Sequence, residues 1–307
     1  MEEAKEKILV EFGGLDSTEF EELGKDRVFD DFRVRSGIKR AADLKSLFGE
    51  SADLEVVPYE NFRKMGLRGG RLPKIKDMKT LLRYVRKYNE AGIPFNIPLN
   101  GGGELTGDEV VRVARSVCDG VRGSLYELQK IGVLNGVQNY VTILRDELLD
   151  VVKELFPDLK TVASCIKFSE PDQEKASVLF EEAFRKYDYV VALPQQAKYD
   201  FLKRFESNAG QLIVFPHLPC AEKDLGKCKA HYRFLEGIKG PVDIEIAESF
   251  CGDEFDPLVL RAEEDLIPLI RMGVRGFKFH RYPGWSPSIN GDLVEDLISL
   301  ILEEGVS

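Results

Sequence analysis

The sequence predicts one α/β domain folded as a (β/α)8 barrel, and three observations predict it. Short runs rich in Val and Ile alternate with amphipathic stretches of roughly 10 to 15 residues, the pattern of βαβ units around a parallel sheet. There are eight such runs, which is the barrel number. At 307 residues the whole chain fits one barrel of ordinary size, so the domain is taken as 1–307. A doubly wound parallel sheet is the alternative architecture, because it is built from the same alternating units.

In chain order the runs are Ile8–Phe12, Leu54–Val57, Ile93–Leu99, Val137–Ile143, Leu159–Cys165, Tyr189–Leu193, Leu212–Phe215 and Val274–Phe279. The third carries Pro94 and Pro98, which cannot donate to a ladder, so a short or bulged strand is expected there. Thr18 with Glu21 and Thr106 with Glu109 have the spacing of capping boxes, in which a hydroxyl and a carboxylate satisfy free N–H groups at a helix start. Arg145–Phe156 puts Leu148, Leu149, Val152 and Leu155 on one face, and Leu293–Leu302 does the same with Leu293, Leu297, Leu300 and Ile301. Residues 24–71 are the least regular stretch. A ninth run, Val242–Ala247, alternates with Asp243 and Glu245 as a half-exposed strand does, and is placed in a Cys-containing insertion, 218–256, after the seventh barrel strand.

Composition narrows the function classes. Hydrophobic residues make up 43% and charged residues 31%, ordinary for a chain that folds. A net charge of −10 works against general affinity for a nucleic-acid backbone. Arg63–Lys79 is locally basic and could meet phosphate or an acidic substrate, although a solvated surface loop is the better explanation. The opening MEEAKEKILVEF has neither the basic start nor the apolar stretch of an export signal, and no window is long and apolar enough for a membrane span. A cytoplasmic protein with reduced thiols is therefore expected. Its five cysteines are then idle thiols or metal ligands rather than disulfides.

Barrel enzymes gather their reactive groups at the C-terminal ends of the strands. Cys165 ends the fifth run, His217 follows the seventh, and Lys278, His280 and Arg281 close or follow the eighth. All three histidines lie between His217 and His280, and histidine is the usual acid, base or metal ligand near neutral pH. Cys220 and Cys228, with seven residues between them, precede His231 and Cys251. That is not the tight spacing of a zinc ribbon, but Cys165 could reach the same rim, and four thiolates match a [4Fe-4S] cluster. The same four can equally be unrelated buried thiols. Cys118, in an apolar helical pattern, reads as a buried cysteine. Asn100, at the end of the third run, is a candidate substrate ligand. Asn96 on the same face, and Glu11 flanked by apolar neighbours, would need polar partners if they point inward. Gly13–Gly14 and Gly101–Gly103 lack phosphate-cradle spacing and read as turn glycines. The absence of GxSxG, HExxH and paired DxD carboxylates lowers serine-hydrolase, zincin and simple phosphoryl-transfer readings.

Four segments together resemble one family. YNEAGIPFNIPLN (Tyr88–Asn100) is similar to a helix leading to a strand that ends in asparagine. VQNYVTILRDELLDVVKELFPDLKTVASC (Val137–Cys165) is similar to a strand, a helix and a strand ending near a serine, here Ser164. VFPHLPC (Val214–Cys220) resembles a strand ending in histidine and a first cysteine, and RAEEDLIPLIRMGVRGFKFHR (Arg261–Arg281) resembles the closing helix and strand. The family is the collagenase-like peptidase family of barrels, which includes prephenate-dependent tRNA uridine hydroxylases and oxygen-independent ubiquinone hydroxylation proteins. The resemblance implies a [4Fe-4S] cluster held by cysteines, and in the characterised branches hydroxylation without molecular oxygen. The chain departs from the pattern in two places. Only Cys251 follows Cys228, and Phe279–His280 stand where an acid and a glycine are usual.

The leading expectation is thus a barrel enzyme with a cluster on Cys165, Cys220, Cys228 and Cys251. His217, His280 and Lys278 would serve catalysis, while Arg281 and Asn100 would bind an anionic small molecule or modified group. A mononuclear Zn or Fe site on His217 and His280 is one alternative. A non-catalytic barrel that binds a partner protein is another.

Overall fold

The computed structural model describes residues 5–13, 26–60, 67, 77–101, 105–116, 120–193, 195–218, 258–260, 262–279 and 287–304. Eight parallel strands close into a barrel: β1 (Glu6–Gly13), β2 (Ala52–Tyr59), β3 (Asn96–Leu99), β4 (Tyr140–Ile143), β5 (Lys160–Ala163), β6 (Tyr189–Ala192), β7 (Leu212–Val214) and β10 (Gly276–Phe279). All eight predicted runs hold a strand. The closed order, in which β1 pairs with both β2 and β10, rules out the open doubly wound sheet.

Alternation sorts each strand into two faces. On β1, Ile8, Val10 and Phe12 join the large core between barrel and helices, while Leu9 turns inward. Inside, Leu9, Val57, Tyr140, Val162, Val191, Ile213 and Phe215 pack together from six strands, a meeting only the barrel interior allows. Each fully buried Leu, Ile, Val or Phe side chain contributes about 1.5–3 kcal/mol. Gly276 is required where β10 closes against β7. A Cβ there would lie 2.5 Å from the Leu212 carbonyl oxygen and 2.8 Å from the Ile213 side chain.

β3 is short, as its prolines predict, and pairs with β2 at one register position, Tyr59 with Asn96. Its pairing with β4 runs over four positions, including Pro98 opposite Thr142. Helices α2 (Met78–Glu90), α3 (Gly107–Arg115), α4 (Val121–Asn135), α5 (Asp146–Leu155) and α6 (Gln173–Lys186) follow in order around the outside. α2 starts on Asp77, whose side chain accepts from the Thr80 N–H at 2.8 Å. α3 starts on the predicted capping box. Thr106 Oγ1 accepts from the Glu109 N–H, and Glu109 Oε2 accepts from the Thr106 N–H at 2.9 Å. Thr106→Ala is expected to lower stability by ~1 kcal/mol, read as a lower urea midpoint; an unchanged midpoint would count against the box. The pair Thr18 and Glu21 lies outside the described residues, as does Cys118.

Within the stretch 24–71, expected to be the least regular, the described residues are 26–60 and 67. They hold α1 (Asp26–Phe48) and β2. The helix is hard to see in the sequence because charges and Gly37 interrupt its apolar stripe, yet Val34, Ala41, Leu44 and Phe48 still bury against the barrel. Between β7 and β10 the chain departs from the barrel into a small antiparallel pair, β8 (His217–Leu218) with β9 (Leu258–Val259), which supports an insertion at that point. The ninth run, Val242–Ala247, lies outside the described residues. Beyond α7 (Tyr199–Leu202), the helix α8 (Ile267–Met272) leads into β10, and α9 (Pro287–Glu304) contains the predicted last helix. No helix among the described residues is long and apolar enough to cross a membrane.

Candidate functional site

Two polar storeys interrupt the apolar barrel interior. The lower one stands near the strand starts. Glu55 Oε2 is ion-paired with Lys7 at 2.6 Å, Glu55 Oε1 accepts from Lys160 at 3.3 Å, and Lys160 also donates to the Tyr140 hydroxyl at 3.0 Å. Burial pushes the Glu55 carboxyl up, but the Lys7 hydrogen bond and the Lys160 charge outweigh it and hold the group below its ordinary value of 4.5. A carboxyl depressed in the fold contributes stability above its unfolded value and loses it as pH falls through the folded one. Glu55→Gln is therefore expected to be less stable than wild type at neutral pH. The gap should shrink in acid as wild-type Glu55 takes up its proton; a gap that persists into strong acid would contradict this.

The upper storey lies in the C-terminal half, where barrels carry chemistry. Glu11 shares the inward parity of Leu9 on β1, and Lys278 stands directly opposite it on β10. The Lys278 ammonium donates to Glu11 Oε2. Glu11 is wholly buried and Lys278 is 7% exposed. The other oxygen, Oε1, accepts from Asn96 Nδ2 at 3.0 Å, and the same amide group donates to Thr142 Oγ1 at 2.8 Å. Lys278 Nζ also lies 4.1 Å from the centre of the Tyr59 ring, a distance at which the ring face attracts a cation. The Tyr59 hydroxyl in turn donates to the Phe279 carbonyl at 3.3 Å, tying β2 to β10. Side chains from β1, β2, β3, β4 and β10 thus hold one carboxylate and one ammonium in fixed positions.

Cys165 opens the 3-10 turn Cys165–Phe168 just past β5 and packs on the interior cluster. Loss of solvent pushes its thiol up to about 11, against the Lys278 charge, which lowers it. Asn100, just past β3, has a buried Oδ1 with no hydrogen-bond partner among the described residues.

The sequence-derived candidates are distributed unevenly. Lys278 and Cys165 come to the same half of the barrel, and Asn100 follows the strand that carries Asn96. His217 follows β7 and lies in β8, paired with Val259, in the segment that leaves the barrel. Its side chain, His280, Arg281, Cys220, Cys228 and Cys251 lie outside the described residues. Among the described residues no three Cys, His, Asp or Glu side chains come together as a metal site. Glu11 and Asn96, the inward polar residues that needed partners, find them in each other, in Lys278 and in Thr142. Tyr59 and Thr142 are not predicted by the sequence reading. For Thr142 a signal is present: YVTI is a four-residue strand with one polar residue at inward parity.

No family model and no curated protein matches the sequence. Among solved structures the chain is similar to the U32 peptidase Mk0906, at 11% identity over 94% of this chain and 97% of that one, with a TM-score of 0.50. It is also similar to 3-keto-D-glucoside 4-epimerase, YcjR, from E. coli, at 10% identity over 96% and 100% of the two chains, TM-score 0.35. A third is dihydropteroate synthase (FolP) from Thermus thermophilus, at 10% identity over 99% and 94%, TM-score 0.39. At 11% identity the likeness to Mk0906 is one of fold alone.

Proposed function

We propose that the chain is a barrel enzyme that takes an anionic small molecule at its C-terminal mouth, with Lys278, held by Glu11, as the cation that meets it. The observation that carries this reading is the enclosed carboxylate–ammonium pair, held by Asn96 and the Tyr59 ring inside the barrel. Such a pair gains little stability over well-packed apolar residues, because both charges must first leave water. Its position in the catalytic half of the barrel gives it a purpose that packing does not. The unpartnered Asn100 oxygen supports the same reading as an acceptor for a substrate N–H or O–H group. His217 and His280 would move protons and Arg281 would pair with the anion's oxygens, roles argued from their chemistry and chain position alone.

The experiment is a thermal-shift panel of small carboxylates and phosphates on the wild type and on Glu11→Gln with Lys278→Gln, which removes both charges together. At least one anion is expected to stabilise the wild type and to lose most of that effect in the double variant. A response equal in both proteins would move the site elsewhere.

A second reading adds the [4Fe-4S] cluster on Cys165, Cys220, Cys228 and Cys251. It is favoured by the place of Cys165 at the rim, close enough to Lys278 and Glu11 for their charges to act on its thiol. There a bound iron would supply the charge that a desolvated thiolate needs. Hydroxylation without oxygen rests on the family resemblance alone. Iron and sulfide measured after anaerobic purification test it: both should be present, and both should fall in Cys165→Ser. Their absence after reconstitution would remove the cluster and leave the anion site standing.

A further inference from the structure

We propose that Lys278 forms an imine with an aldehyde or ketone group of the small molecule the barrel takes, with Glu11 carrying the proton through the reaction. The inference rests on the preceding reading for the place of binding and adds the substrate class, a carbonyl compound.

Two features of the upper storey point to bond making rather than charge pairing alone. First, the amine is enclosed, and its ammonium proton is already in a hydrogen bond to Glu11 Oε2. The proton can therefore pass to the carboxylate without release to solvent, leaving a neutral amine. Second, Glu11 cannot swing away. Asn96 fixes its other oxygen at 3.0 Å, and Thr142 fixes Asn96 through two contacts, at 2.8 and 3.2 Å.

The step balances within the pair. Lys278 gives its proton to Glu11, and the nitrogen lone pair attacks the carbonyl carbon, forming the C–N bond as the π electrons move to oxygen. One nitrogen proton then moves to that oxygen to give the carbinolamine. Glu11 returns its proton to the hydroxyl, the C–O bond breaks, water leaves, and the nitrogen lone pair closes the C=N bond. Glu11 ends as a carboxylate beside a cationic iminium, so the charge of the site is unchanged throughout.

The test incubates the full chain with pyruvate, which carries a charge, or with glycolaldehyde, which does not, then reduces with borohydride and maps adducts by peptide mass spectrometry. A reduced adduct on Lys278 is expected with at least one probe. It should be absent in Lys278→Arg and slowed on the order of a hundredfold in Glu11→Gln, with circular dichroism confirming the fold of each. Labelling of exposed Lys175 with none on Lys278, for both probes, would overturn the imine. Because that outcome is read on the wild type, an unstable variant does not obscure it. An anion response without an adduct would sink the imine alone, and an adduct without an anion response would sink the preference for anions alone.

Discussion

Replacing Lys278 alone by methionine is expected to cost the fold roughly 3–5 kcal/mol, because it strands the Glu11 carboxylate in the barrel with one oxygen unpaired. The loss comes from the orphaned charge rather than from the missing contact. Removing both charges should therefore recover most of it. Glu11→Gln with Lys278→Gln leaves two amides in place of the pair, and the carbonyl oxygen of the amide at position 11 can still accept from Asn96. The double variant is expected within about 1–2 kcal/mol of wild type in urea unfolding, since neutral replacements for a buried pair are often nearly neutral in stability. A double variant as unstable as the single one would mean that the pair is a structural staple, and the functional reading would lose its main support.

Asn139→Ala is expected to cost a similar amount, on the order of 3–5 kcal/mol, by orphaning two or three buried groups at roughly 1–3 kcal/mol each. Asn139 lies just before β4 and is 1% exposed. Its Oδ1 accepts from Asn89 Nδ2 at 2.9 Å and from the Phe95 N–H at 2.8 Å. Its Nδ2 donates to Asn89 Oδ1 at 2.7 Å and to the Leu128 carbonyl at 2.8 Å. This amide pair joins the end of α2, the body of α4 and the entries of β3 and β4. Because Phe95 precedes Asn96, it also sets the height at which Asn96 meets Glu11. Asn139→Asp should be nearly as costly, since a carboxylate oxygen would face the Leu128 carbonyl with no proton to offer it. Retention of wild-type stability by either variant would show that other groups or water satisfy these partners.

The strands are legible in the sequence because a parallel barrel buries both faces of each one, which writes them as runs such as ILVEF, YVTI and YVVA. α1 is not, because its apolar residues are spaced among charges and only its packing against the barrel distinguishes them. Lys278, Cys165 and Asn100 are readable from their positions at strand ends. The pairing of Lys278 with Glu11 is not, since it joins residues 267 apart and arises only when the last strand closes on the first. Glu11 looks like a lone acid in an apolar strand until closure supplies its partner. Tyr59 contributes its ring face to a cation on another strand, and a tyrosine at the end of a strand carries no mark of that role.

If substrate binds at the Glu11–Lys278 pair, the most direct test is a crystal structure of the chain with the anion that stabilises it most in the thermal-shift panel. The expected result is an oxygen of that anion, or a carbon bonded to nitrogen if it carries a carbonyl group, at Lys278 Nζ inside the C-terminal half of the barrel. An anion bound elsewhere, with Lys278 still on Glu11 and solvent alone in the mouth, would contradict it.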